Sequence, residues 1–252
     1  MSMVGYIKLR KRRIVMLNKQ KGNMYGWVTH TWNVVKGKCP HDCKYCYMKM
    51  FPQKELHFDE KELKTDLGKN NFIFVGSSCD MFAEAVSEEQ IIKVLNHCKK
   101  YPYNTYLFQT KNPLRFMELR NELITMNCIL GTTLETNRSG YSYNALPITE
   151  RVRGMQIKGF RKMITIEPIL DFDVTPFIEY IKSIEPLFVN IGADSKNHNL
   201  PEPSEFKIET LIKELNKFTK INNKENLSRI YKIKEVRLRP DKTTADKSAK
   251  EK

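Results

Sequence analysis

Three of the six cysteines fall within one short stretch, Cys39-Pro-His-Asp-Cys43-Lys-Tyr-Cys46. Thiols crowded in this way on one loop point to an inorganic centre rather than to disulfides. Two centres suit the donor set. A structural zinc ion wants a fourth ligand, and with no second Cys-x2-Cys pair in the chain the fourth would be His41, cramped inside the same loop. A four-iron cluster on three thiolates leaves one iron open, a coordination site for a substrate or cofactor. The 252-residue chain shows no long apolar stretch behind its basic N-terminus, so a secretory signal is not expected and the protein is placed in the cytoplasm.

The elements that would position this loop are legible as short apolar runs. They lie at 72–75, 106–108, 128–130, 163–166 and 187–191, rich in Ile, Val, Phe and Tyr as buried parallel strands are. A further strand around 27–35 precedes the cysteines. Helical patterns alternate with these runs. Ser87 and Gln90 make a capping box, after which Ile91, Ile92, Val94, Leu95 and Cys98 share a face. Residues 113–124 read as a second helix opened by Pro113 and 174–184 as a third. Residues 206–218 give a fourth, capped by Ser204. Strands alternating with helices make an α/β fold with a parallel sheet.

The cysteine spacing, with Tyr45 just before Cys46, resembles the signature of the radical S-adenosylmethionine (radical SAM) superfamily. That resemblance implies a partial (β/α)6 barrel of the TIM type, whose site gathers at the C-terminal ends of the strands. It also implies a [4Fe-4S] cluster on Cys39, Cys43 and Cys46 and S-adenosyl-L-methionine on the open iron, reductively cleaved to a 5′-deoxyadenosyl radical. The strand ends Phe-Val-Gly-Ser-Ser-Cys-Asp, Gln-Thr-Lys-Asn-Pro, Gly-Thr-Thr-Leu-Glu, Thr-Ile-Glu-Pro and Ile-Gly-Ala-Asp-Ser resemble, in that order, a phage- and prokaryote-associated branch grouped loosely with spore photoproduct lyase-like proteins.

The resemblance assigns Tyr45 to the adenine of the cofactor and Gly76, Ser77 and Ser78 to its methionine amino group. At that point this chain lacks the acidic residue usual in the family. Glu135, Glu167 and Gly192 are assigned to the cofactor-binding rim, with Glu167 either facing the lumen or paired with a cation such as Lys111. Lys111 and Asp80 are candidate lumen residues, and residues 194–198 a candidate substrate loop. Cys79, at a strand end, is a candidate hydrogen-atom donor; Cys98 and Cys128 read as packing.

Net charge is +14, and its placement matters more than its size. Residues 1–41 carry nine Lys or Arg and no acid, and residues 220–252 carry eleven basic and five acidic residues. The body is therefore close to neutral. Three parts are expected: a basic N-terminal extension at 1–21, a radical SAM core at 22–219 and a basic C-terminal extension at 220–252, its last part disordered. Basic ends suit a polyanion such as nucleic acid, so a nucleic-acid base or nucleotide is the favoured substrate. A radical SAM enzyme also implies an electron-donor partner such as a flavodoxin or ferredoxin. No apolar run approaches the roughly 18 residues of a membrane span. The competing reading is a zinc-stapled nucleic-acid-binding protein with no catalysis.

Overall fold

The structure is a computed structural model, and it describes residues 15–20, 25–140 and 144–232. Most of both basic extensions therefore lies outside the described residues. Eight strands form the central sheet: β1 (Asn18–Lys19), β2 (His30–Trp32), β3 (Phe72–Val75), β4 (Thr105–Thr110), β5 (Cys128–Thr133), β6 (Arg161–Ile166), β7 (Phe188–Ile191) and β8 (Lys220–Asn223). Their spatial order is their chain order. β1 pairs antiparallel with β2, and every other pairing is parallel. The sheet does not close among the described residues; β1 and β8 are its two edges.

The helices α1 (Glu88–Lys99), α2 (Leu114–Glu118), α3 (Arg120–Leu123), α4 (Ile148–Met155), α5 (Val174–Ile184) and α6 (Glu205–Leu215) fill the connections. All six pack into one apolar cluster with Ile73, Phe108, Leu130, Ile164 and Val189. They thus cover one face of the sheet, as crossovers of constant hand between consecutive parallel strands require. Strand side chains alternate, so the other face carries Phe74, Leu107, Ile129 and Met163, joined by Tyr25 and Val28. The sheet curls around this inner face. Trp27 lies 4.6 Å from Phe72 and 5.4 Å from Phe188, ring centroid to centroid. Their strands are four places apart, which in a flat sheet would separate them by about 19 Å.

The expected parallel strands all occur, each within a few residues of its run. The first is shorter than 27–35, and Val35–Lys36 leaves it to pair with His57–Phe58 in a small ribbon. Ser87 and Gln90 form the capping box, Ser204 caps α6, and α5 has the expected bounds. The single helix expected over 113–124 is broken at Leu119, whose ψ of 22° leaves the helical range. α4 and β8 were not foreseen. β8 pairs with β7 along Lys220–Asn223, so the sheet runs on past residue 219, where the sequence reading ended the core. No helix among the described residues is long and apolar enough to cross a membrane.

Gly154 sets how closely α4 approaches α2. A Cβ there would lie 2.6 Å from the Pro113 carbonyl carbon and 2.7 Å from the Leu114 nitrogen. Gly154→Ala gains about 1 kcal/mol in helix propensity but meets backbone that no rotamer can move. The expected net loss is about 1–3 kcal/mol, read as a lower urea midpoint. A midpoint equal to or above that of the unaltered protein would show that α4 can shift away freely.

Candidate functional site at the C-terminal rim

The cysteine loop hangs between β2 and β3 and is pinched at its base. Lys38 N–H donates to the Lys54 carbonyl at 2.9 Å. Gly37, at φ +97°, sits where a Cβ would come within 2.3 Å of the Glu55 oxygen, so only glycine fits the pinch. Lys36 bonds Asp59 at 2.9 Å and Glu62 at 2.6 Å beside it. Within the loop none of the three thiols is in a disulfide, and all three line one cavity of about 210 Å³ with Lys38, Asp42 and Lys49.

His41 does not join them. Its Nε2 lies 2.7 Å from Asp80 Oδ2. That same oxygen accepts from the Thr110 hydroxyl at 2.9 Å and the Lys111 amide at 2.8 Å, and Oδ1 accepts from the Phe82 amide. Asp80 thus ties the cysteine loop to the ends of β3 and β4. This removes the fourth ligand that a zinc staple would need. Among the described residues no three His, Cys, Asp or Glu side chains, the three loop cysteines included, are grouped to hold a metal ion as they stand. The three thiols share one loop and line one cavity, and three is the number of thiolates that leaves one iron of a four-iron cluster open.

Cys79 lies against this loop. Its hydrogen bond to Cys39 holds the Cys39 thiol down to about 6 and, with burial, pushes its own thiol well up. Burial raises the Cys46 thiol. Cys98 and Cys128 are buried in the helix-side cluster, the packing role expected of them.

The inner face is layered by strand alternation. Above the apolar residues come Thr133, Thr165, Asn190 and Asn222 in register, with Gln109 one step lower opposite Gly131; continuing the same phase, Glu135, Glu167, Gly192 and Lys224 lie above them, and Lys111 follows β4. This top layer carries two ion pairs. Glu135, 2% exposed, takes Lys111 at 2.6 Å on one oxygen and Arg151 at 2.8 Å on the other. Tyr45 O–H donates to the same carboxylate, and the Lys111 ammonium lies 5.2 Å over the Tyr45 ring. Burial brings the Lys111 ammonium down to about 8. Glu167 bonds Lys224 at 2.7 Å and the Asn226 amide at 3.1 Å. Glu167, expected either to face the lumen or to pair with a cation such as Lys111, lies on the inner-face phase and pairs with a cation, but that cation is Lys224 from just beyond β8, because Lys111 serves Glu135.

Gly76 and Gly192 make room at the rim. Gly76 has φ +78°, and a Cβ on Gly192 would lie 2.9 Å from both Glu167 Oε1 and Asn226 Oδ1. Asn33 orders the turn after β3, accepting from the Ser77 hydroxyl at 3.3 Å and the Ser78 amide at 3.0 Å. Asp194 is spent within its own loop on the Lys196 and His198 amides and on His198 Nδ1. Asn33, Arg151, Lys224 and Asn226 were missed from sequence. A signal existed for Asn33, two residues beyond an inward-facing strand position; Lys224 follows a strand too polar to be read as one.

Two predictions follow from these pairs. Glu135→Gln leaves Arg151 buried without its counter-charge and should cost about 3–5 kcal/mol. Adding Arg151→Met should return part of that loss, whereas additive losses would show the two are not coupled. For Asp80 and His41, burial favours the neutral form of each, but their mutual bond outweighs it. The Asp80 carboxyl therefore sits below its ordinary 3.8 and His41 above its ordinary 6.5. The Asp80 contribution is full above about pH 4 and lost as pH falls through its lowered value. That of His41 is full below about pH 6.5 and lost as pH rises through its raised value. The stability gap between the protein and Asp80→Asn should be widest from about pH 4 to 6.5 in urea unfolding and narrow on both sides. A gap independent of pH would refute the ion pair.

Several solved structures share this fold. A cysteine-to-serine mutant of spore photoproduct lyase is 10% identical, with 84% of this chain and 80% of that chain covered at a TM-score of 0.60. A double mutant of spore photoproduct lyase with bound AdoMet and dinucleoside spore photoproduct is 11% identical, with 81% of this chain and 66% of that chain covered at 0.54. At such identities the likeness is one of fold. No curated protein matches the sequence. The family model described as "Protein of unknown function (DUF5131)" matches residues 23–178, more than half of the chain, and spans the cysteine loop and the strands from β2 to β6. The chain belongs to that family.

Proposed function

We propose that this protein is a radical SAM enzyme that acts on a nucleic-acid base or nucleotide. The observation that carries this is the three-thiol loop, with His41 drawn away by Asp80, at the C-terminal rim of a curved parallel sheet. The fold neighbour that holds AdoMet and a dinucleoside lesion supports the same reading, and the curved open sheet is read as a partial barrel. Cys39, Cys43 and Cys46 would hold a [4Fe-4S] cluster, which, when reduced with S-adenosylmethionine bound, supplies a 5′-deoxyadenosyl radical for hydrogen abstraction.

The chain's own residues orient and shield. Tyr45 is fixed through Glu135, which gives the adenine a ring of set position. Gly76 lets the backbone approach closely, and Ser77 and Ser78 offer a hydroxyl and an ordered turn for the methionine end. Glu135 and Glu167 would supply the carboxylate acceptors that a ribose diol and an ammonium need. Cys79, buried at the end of β3 against the cysteine loop, would be the hydrogen-atom donor. A flavodoxin or ferredoxin would supply the electron, and the basic ends would add phosphate contacts.

Anaerobic purification tests the reading. A brown protein absorbing near ~400 nm that forms 5′-deoxyadenosine with reductant and S-adenosylmethionine supports it; a colourless protein holding one zinc overturns it. Cys39→Ala, Cys43→Ala and Cys46→Ala should each abolish both iron and 5′-deoxyadenosine, while Cys98→Ala and Cys128→Ala keep both. Full activity in any of the first three would remove that residue from the ligand set.

A further inference from the structure

A second cavity, of about 770 Å³, lies beside β8 and the segment that follows β1, in the region of the two sheet edges. It is distinct from the cysteine cavity in every lining residue. Five of its lining side chains are carboxamides, Gln20, Asn190, Asn222, Asn223 and Asn226, and another wall is the pair Tyr25 and Trp27, stacked at 5.2 Å with 3° between their planes. We infer that this cavity is a pocket for the planar heterocycle of a nucleobase, which would enter through the gap in the sheet.

Three features point that way. Carboxamides present a donor and an acceptor side by side, the pattern that matches the N–H and C=O edge of a base. Aromatic rings give its flat face a stacking surface, and such surfaces tolerate any base. The third is a fixed link between the cavity wall and the rim. The Asn226 amide nitrogen donates to Glu167 Oε1 at 3.1 Å and to the Ala193 carbonyl at 2.8 Å, which fixes the orientation of the group. Its Oδ1 is buried beside Gly192, so the side chain meets the cavity without offering that oxygen to it.

Asn190 and Asn222 are held for the task. Asn222 donates to Asn190 Oδ1 at 3.1 Å, and Asn190 donates to Met163 Sδ at 3.5 Å. Both belong to the polar layer of the inner face, one step below Glu167. A base in the cavity would therefore lie beside that rim, where the enzyme proposed above would present its radical. The inference deepens that reading by giving its substrate class a place on the chain.

The probes are the deoxydinucleoside monophosphates, which carry a single phosphate and so draw little on the basic ends. Calorimetric titration of anaerobically purified protein should detect binding. Asn222→Ala should weaken it about tenfold and Trp27→Phe roughly threefold, the scale of one amide–base contact and part of one stacking contact. Asn223→Ala, an exposed position, is the second variant should either of these fold poorly. Failure of the unaltered protein to bind, affinity indifferent to these substitutions, or binding of a chitooligosaccharide in preference to the dinucleosides would each overturn the pocket. Binding needs neither the cluster nor turnover. A zinc protein that still binds in this way would therefore sink the radical reaction alone, and a 5′-deoxyadenosine-forming protein indifferent to Asn222 and Trp27 would sink the pocket alone.

Discussion

A carboxylate buried as deeply as Glu135 must be matched charge for charge, since leaving it unpaired costs more than any single contact around it returns. Its partners come from three separate parts of the chain. Tyr45 belongs to the cysteine loop, Lys111 to the end of β4, and Arg151 to α4. Arg151 also donates to the carbonyls of Thr133 and Leu146. The loop, the rim and a helix from the outer layer are thereby referred to one point. Asp80 does the same from the other side through His41, Thr110 and the Lys111 amide. Two buried carboxylates thus fix both flanks of a loop that has no regular structure before residue 47 to fix itself.

The inner face explains why charge can be gathered there at all. Alternation sends every second strand residue inwards, and the inward residues change in kind with height. Aromatic and aliphatic side chains fill the base, amides and hydroxyls the middle, and paired charges the rim. Charges at the base would face an apolar plug with no water to relax them. At the rim they have each other: Glu135 takes both Lys111 and Arg151, and Glu167 takes Lys224.

How much of this was legible in the sequence depends on the range of the interaction. The cysteine loop, the apolar strand runs and the Ser87 and Ser204 caps are local patterns, and the structure places them as read. Residues 113–124 misled because one apolar stripe spans both α2 and α3, with Phe116, Leu119 and Leu123 all buried, whether or not the helix is continuous. β8 has the sequence Lys-Ile-Asn-Asn, too polar to look like a strand, and it pairs because β7 leaves an edge open. Arg151 gave no sign of its role, since a helix stripe marks which face is buried but not which carboxylate waits there. The choice between Lys111 and Lys224 as partner of Glu167 is likewise set by the crossing of distant strands.

Among the described residues the sheet has two open edges, a risk that the chain manages at both. Unpaired strand edges invite pairing with other chains. β1 is two residues long and ends in Lys19, and β8 begins with Lys220, so both edges are short and charged. Closing the sheet would remove the risk altogether, and it would also bring β1 against β8 across the region that the larger cavity occupies. The carboxamides of β8 would then have to satisfy a ladder partner and a packed interior at once. Keeping the edges apart leaves Asn222 and Asn223 on a wall that a solute can reach while the apolar base stays sealed by Tyr25, Trp27 and Val28. Openness at mid-height and closure at the base are therefore one arrangement, since Tyr25, Trp27 and Val28, which plug the bottom, also lead into β2.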